Sequence, residues 1–181
     1  MTEPMTDDLR PLTDDSRPGD PVLLLLIRHA QAAVQDPERY PDDALRPLVP
    51  KGRKIQRRVS RTLRKRGPVP SRIFSSPWKR AWQTAGIVAD ETGAGRSRRF
   101  ACEALAAPPD LAEIAIGIGR VEPGETIALV GHEPWMSSLA ALLLTGSPSG
   151  VRIDFPKSGV MGIETAGWEA GGGTLEFFLT P

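Results

Sequence analysis

Six consecutive apolar residues, Val22 to Ile27, run without a break into the basic pair Arg28-His29. No polar position interrupts them, so neither face of this segment is marked as wet, and the run is too short for a buried helix. It reads as a β-strand covered on both faces, the kind found in parallel sheets that carry helices on each side. The segments that follow agree. Lys51 to Arg66 repeats apolar residues at every fourth position (Ile55, Val59, Leu63) in an otherwise basic stretch, a helix that Gly67-Pro68 ends. Arg72 to Ser75 is a short strand, and Pro77 sits in the first turn of a helix that runs to about Glu91 and stops at Gly93. Thr126 to Val130 is a second apolar strand, followed by a helix from Pro134 to Thr145 with Gly146 as its stop. Val160 to Thr165 and Thr174 to Leu179 read as a closing strand pair around the glycine run at 171–173. Strands that alternate with helices in this way imply an α/β layered sheet, in which ligands bind beyond the carboxyl ends of the strands.

A chain of 181 residues suits one domain plus a tail. The tail is residues 1–20, with six acids, two bases and three prolines and almost no apolar periodicity; it reads as a flexible acidic arm ahead of a single domain at 21–181. The single cysteine, Cys102, excludes a disulfide framework and reads as a small buried hydrophobe. No apolar run approaches the length of a membrane span, and no basic region precedes Val22 as a secretory signal would require, so the expected compartment is the cytoplasm. No amphipathic stripe is left over for an oligomer, and a monomer is expected.

The two histidines occupy equivalent places. His29 follows the first strand after Arg28, and His132 follows Thr126 to Val130 after Gly131. Each taken alone reads as a structural strand-end residue. If the two strands are parallel neighbours, both imidazoles reach one rim, with Arg28 beside the first. Ser75-Ser76-Pro77-Trp78-Lys79-Arg80 brings a helix start to the same rim, where free N–H groups and the planar guanidinium of Arg80 suit an anion. Two arginines and two histidines around one point suit a phosphoryl group. Arg28, Arg80 and a protonated or N–H-donating His132 hold its oxygens, while His29 attacks phosphorus as a neutral imidazole. No metal or other cofactor is expected, since the chain has no His-x-x-x-His spacing and no aspartate cluster after a strand.

Four segments in order then carry a family resemblance: Arg28-His29-Ala30; Arg46-Pro47-Leu48 with Lys51-Gly52; Ser75-Ser76-Pro77 with Arg80-Ala81 and Gln83-Thr84-Ala85; and Val130-Gly131-His132-Glu133-Pro134. From Val22 to its end the chain resembles the histidine phosphatase superfamily, and within it the short bacterial phosphohistidine phosphatases of the SixA type. The resemblance implies a three-layer αβα fold like that of phosphoglycerate mutase, with a mostly parallel central sheet. It also implies His29 as the phosphorylated nucleophile and a phosphate pocket of Arg28, Arg80 and His132. Ala30 stands where the wider superfamily has glycine, which requires a backbone there without positive φ. Glu103 matches the position of the family's acidic proton donor, and it reads equally as an exposed loop carboxylate. Trp82 is expected in the core and Trp78 near the mouth of the site.

Only 22 residues separate Glu103 from Thr126, too few for the long lids that wrap a small substrate. A shallow, open site favours hydrolysis of a phosphoryl group presented on a protein, a phosphohistidine above all. A small phosphoester or a nucleotide polyphosphate is the alternative substrate. A different class of function comes from the basic helix 51–66, whose nine positive charges could bind an acidic protein, nucleic acid or the chain's own acidic arm on an idle scaffold. No aromatic residue interleaves those charges, so nucleic acid is not expected.

Overall fold

The computed structural model describes residues 21–67 and 69–181. The acidic arm and Pro68 lie outside the described residues. Val22–Arg28 forms β1, and its six-residue apolar run is buried from both sides as expected, apart from the half-buried Leu23. Leu24 and Leu26 point to one hydrophobic layer, and Leu25 and Ile27 to the other. Burying a side chain of this size contributes about 2 kcal/mol apiece.

The remaining elements are α1 (Pro50–Arg66), β2 (Arg72–Ser75), α2 (Lys79–Thr92), β3 (Arg99–Ala101), α3 (Leu111–Ile118), β4 (Thr126–Gly131), α4 (Trp135–Thr145), β5 (Val160–Thr165) and β6 (Thr174–Leu179). One six-stranded sheet has the order β3-β2-β4-β1-β5-β6. β3, β2, β4 and β1 run parallel to one another, while β5 pairs antiparallel with β1 and β6 antiparallel with β5. Val59 and Leu63 of α1 with Ala81, Ala85 and Val88 of α2 cover one face. Ile114 and Ile118 of α3 with Met136, Leu139 and Leu143 of α4 cover the other. The three-layer αβα arrangement is therefore present, and β1 lies inside it between β4 and β5.

Several boundaries and two elements differ from the expectation: β1 runs one residue further, to Arg28, and α1 begins one residue early, at Pro50. α2 begins at Lys79 instead of Pro77, because the Ser76 hydroxyl accepts the Trp78 N–H at 3.3 Å and holds residues 76–78 as a turn. α4 begins one residue late and β4 runs one residue further, to Gly131. β3 was not anticipated: it is three residues long and exposes Phe100, so it lacks an apolar signature. α3 lies in the stretch read only as a short connection, capped by the Asp110 carboxylate, which accepts the N–H groups of Ala112 and Glu113. Its Ile114 and Ile118 pack into the core, while Ile116 is exposed. Trp82 is not a core residue; it is half-buried with Arg99 stacked on its ring. Cys102 is buried in the core as expected. Among the described residues, no helix is long and apolar enough to cross a membrane.

Candidate active site

The parallel register sets the geometry. Arg28 pairs with Gly131, and the His29 N–H donates to the Gly131 carbonyl at 3.0 Å, so both strands end level and deliver the next residues side by side. The rings of His29 and His132 lie with centroids 5.1 Å apart. The third parallel strand ends at the same rim: the Ser76 N–H donates to Val130 O at 3.0 Å, and Ser76 Oγ lies 2.9 Å from His132 Nε2. The Trp78 ring packs on His132 at 4.8 Å, and the Arg80 guanidinium stacks on Trp78 at 4.5 Å. Trp78 is thus at the site, as expected.

His29 is 8% exposed, His132 5% and Arg80 5%. The His29 ring is oriented by one bond, from Nδ1 to the Ala30 carbonyl oxygen at 2.7 Å. A carbonyl can only accept, so Nδ1 carries the proton and Nε2 keeps its lone pair. Burial pushes the His29 pKa down to about 3, opposed by that bond and aided by the positive Arg80 and Arg28 and by His132. His132 falls to about 4, through burial first and then the positive charge of Arg80. Of the two forms considered for His132, protonated or a neutral N–H donor, the buried site holds the neutral one. Its Nδ1 is buried without a partner.

Arg28 and Arg80 are each held at one end and free at another. Arg28 Nη1 donates to Phe155 O at 2.6 Å. Arg80 Nη1 donates to Asp43 O at 2.8 Å and pairs with the Asp43 carboxylate at 3.1 Å. The Nε atoms of both are buried, with no partner among the described residues. Burial lowers the pKa of both guanidiniums, and Glu133 and Asp154 for Arg28, and Asp43 for Arg80, hold them up. Desolvated donors with no partner are costly to leave unmet, and an anion placed among them meets them together.

The second of the four sequence segments is support for the first. Residues 46–49 run antiparallel along the loop after His29: Ala33 N donates to Pro47 O, Val49 N to Gln31 O, and Arg46 Nη1 to Ala33 O. Gly52 lets α1 pass so close that a Cβ there would lie 2.2 Å from Gln31 O. The Gln83 side chain accepts the Leu48 N–H, and the Thr84 hydroxyl accepts the Ala30 N–H and donates to Arg80 O. Ala30 is buried and is not among the positive-φ residues, as its methyl group requires.

Glu103 opens a short 3-10 turn after β3 and is exposed. Among the described residues no hydrogen bond joins it to either histidine, so it is the one expected site residue that the structure does not bring into contact with the others. Two site residues escaped the sequence reading. Asp43 braces Arg80 and Arg46 from a short 3-10 turn, with no signal beyond its place three residues before Arg46. Ser158 is buried in a left-handed conformation (φ 66°), its N–H donating to Arg28 O at 3.1 Å and its hydroxyl unpartnered. The following Gly159 was the only hint of an unusual turn there.

Residues 24–118 match the family model of the histidine phosphatase superfamily (branch 1). The chain belongs to this superfamily. An uncharacterized protein of Mycobacterium tuberculosis is 33% identical over 151 residues, covering 78% of this chain and 88% of that one. Another, from Picosynechococcus, is 31% identical over 144 residues, with 78% and 84% covered. The protein histidine phosphatase SixA complexed with tungstate shares the fold at a TM-score of 0.71 and 23% identity, over 88% of this chain and 97% of that chain. The phosphoglycerate mutase of Bacillus anthracis shares it at 0.66 and 15%, over 88% and 93%. The superfamily match ends before β4, so the second histidine is placed in the site by the sheet register and not by that match.

Proposed function

We propose that the protein is a phosphatase that hydrolyses a protein-borne phosphohistidine through a phosphohistidine intermediate on its own His29. The observation that carries this reading is the Nδ1–H to Ala30 O bond, which leaves His29 Nε2 as a free nucleophile that burial keeps unprotonated. Nε2 attacks phosphorus and forms an N–P bond while the bond to the leaving imidazole breaks; the leaving nitrogen takes up a proton. Water then attacks the phosphorus, the N–P bond to His29 breaks, and inorganic phosphate leaves. Arg28, Arg80 and an N–H of His132 meet the spread negative charge of both loose transition states, so the charge a metal would supply comes from guanidiniums. Glu103 is the proposed proton donor, matching the family position, for leaving groups poorer than imidazole.

Support for a protein substrate comes from the segment between Glu103 and Thr126, where α3 is spent on core packing instead of a lid, and from the fold shared with a protein histidine phosphatase. The cytoplasmic monomer expected from the sequence belongs to this proposal. Brief exposure to radiolabelled phosphoramidate should leave an acid-labile, base-stable label on His29, with turnover that survives EDTA. His29→Ala should lose both. An acid-stable label, or turnover retained by His29→Ala, refutes the reading.

A further inference from the structure

Beside the phosphate pocket a hollow of about 300 Å³ runs along the seam between α1 and α2, lined by Arg53, Arg57, Gln83, Gly86, Asp90 and Arg99. Gln83 lies one helical turn beyond Arg80, so the hollow begins where the catalytic rim ends. From Gln83 to Asp90 the helix rises about 10 Å, the length of roughly three extended residues.

The charges in this groove are not balanced. The Asp90 carboxylate takes both prongs of Arg96, at 2.8 and 2.6 Å. Glu91 takes Arg61 at 2.7 Å, with Arg57 at 3.7 Å. Arg53 and Arg99 have no acidic partner among the described residues. Arg99 is the more exacting case. Its guanidinium lies 3.9 Å from the Trp82 ring centroid, Nη1 donates to Trp82 O at 3.1 Å, and Nε is buried with no partner. Gly86 makes this seat: a Cβ there would come within 2.6 Å of Arg99 Nη1. A cation is thus fixed and partly desolvated against an aromatic face at a groove wall, with no carboxylate paired to it among the described residues.

We propose that this groove docks a carboxylate-rich segment of the phosphorylated protein, holding it while the adjacent phosphohistidine enters the pocket. The inference rests on the protein-substrate reading above. Carboxylates fit because the groove's own acids are already met by forked arginine contacts, the geometry that a planar carboxylate completes. Asp90 and Glu91 at the rim would repel a phosphoryl dianion more strongly than a single carboxylate. An open seam about three residues long suits an extended peptide.

The test compares two synthetic phosphohistidine peptides, one with three glutamates beside the phosphohistidine and one with three glutamines, together with phosphoramidate. The native protein should favour the glutamate peptide in kcat/KM, and the advantage should shrink as salt rises. Each exposed pairing is worth up to about fivefold, so Arg53→Gln/Arg99→Gln should cost the glutamate peptide about tenfold. The glutamine peptide and phosphoramidate should stay within about twofold. Gly86→Ala, which displaces the Arg99 guanidinium without removing charge, should cost the glutamate peptide about threefold. Equal rates for the two peptides, or an equal loss on phosphoramidate, overturn the proposal. Calorimetric titration with hexaglutamate judges the groove independently of turnover. Binding to the native protein that the double variant loses supports it; no binding, or tighter binding of a single-stranded oligonucleotide of equal charge, overturns it. Should neither peptide nor phosphoramidate be hydrolysed, the phosphatase reading fails while the titration still decides the groove.

Discussion

Both histidines are buried as neutral rings, so mild acid should weaken the fold in a pH window that reports on them. Burial holds His29 at about 3 and His132 at about 4, against about 6.5 for an imidazole in an unfolded chain. The folded values lie below the unfolded one, so the unfolded chain takes up protons first as the pH falls. The stabilisation is fully present above about pH 6.5 and is lost progressively toward the folded values. At about pH 5 the gap of about 1.5 units costs each histidine ~2 kcal/mol, and the pair roughly 4 kcal/mol. The acids with depressed pKa, Asp43, Asp90 and Glu125, enter this balance only at lower pH, as their unfolded counterparts begin to protonate near pH 4. The chain has no third histidine. Urea unfolding followed by tryptophan fluorescence, in phosphate-free buffer, measures the effect. With a slope of about 2 kcal/mol per molar urea, the midpoint should drop by about 2 M between about pH 7.5 and pH 5. His29→Asn should halve the drop, and His29→Asn/His132→Asn should abolish it. A native midpoint that does not move, or a double variant that keeps the full shift, refutes burial of neutral imidazoles as the cause.

Two further substitutions probe the supports of the site. Arg80→Lys keeps the charge but loses the fork that spans Asp43 and the Trp78 face; kcat/KM on phosphoramidate should fall about 100-fold, with the urea midpoint nearly unchanged, and a loss below threefold would mean that charge alone suffices. Gly52→Ala drives a methyl group into the Gln31 carbonyl and should cost about 1–3 kcal/mol, read as a lower thermal midpoint; an unchanged midpoint would show that the loop yields freely.

The layered fold was legible because β1, β4 and the helices α1, α2 and α4 announce themselves by apolar runs, four-residue repeats or glycine stops, whereas α3 is too short to show a clear repeat. The pair His29 and His132 was legible for a related reason: each stands two places beyond a readable apolar run, and parallel neighbours align their ends. β3 escaped because a three-residue edge strand with an exposed Phe100 has no pattern to show. Asp43 and Ser158 escaped because their roles come from contacts made across long stretches of chain, the one to Arg80 and the other to the Arg28 carbonyl. Trp82 was misplaced in the core because its ring is covered by an arginine from β3, a contact that helical periodicity does not encode. Glu103 was read from family position, and its side chain remains at the surface.

The strand that delivers His29 is made about a hundred residues before its neighbours, since β4 and β5 begin at Thr126 and Val160. Until those residues have left the ribosome, Arg28 and His29 stand at the end of a strand with nothing on either side, whatever the state of α2 and its Arg80. The juxtaposition of His29 with His132 can therefore form only after β4 has been made, and β1 gains its other neighbour later still, with β5.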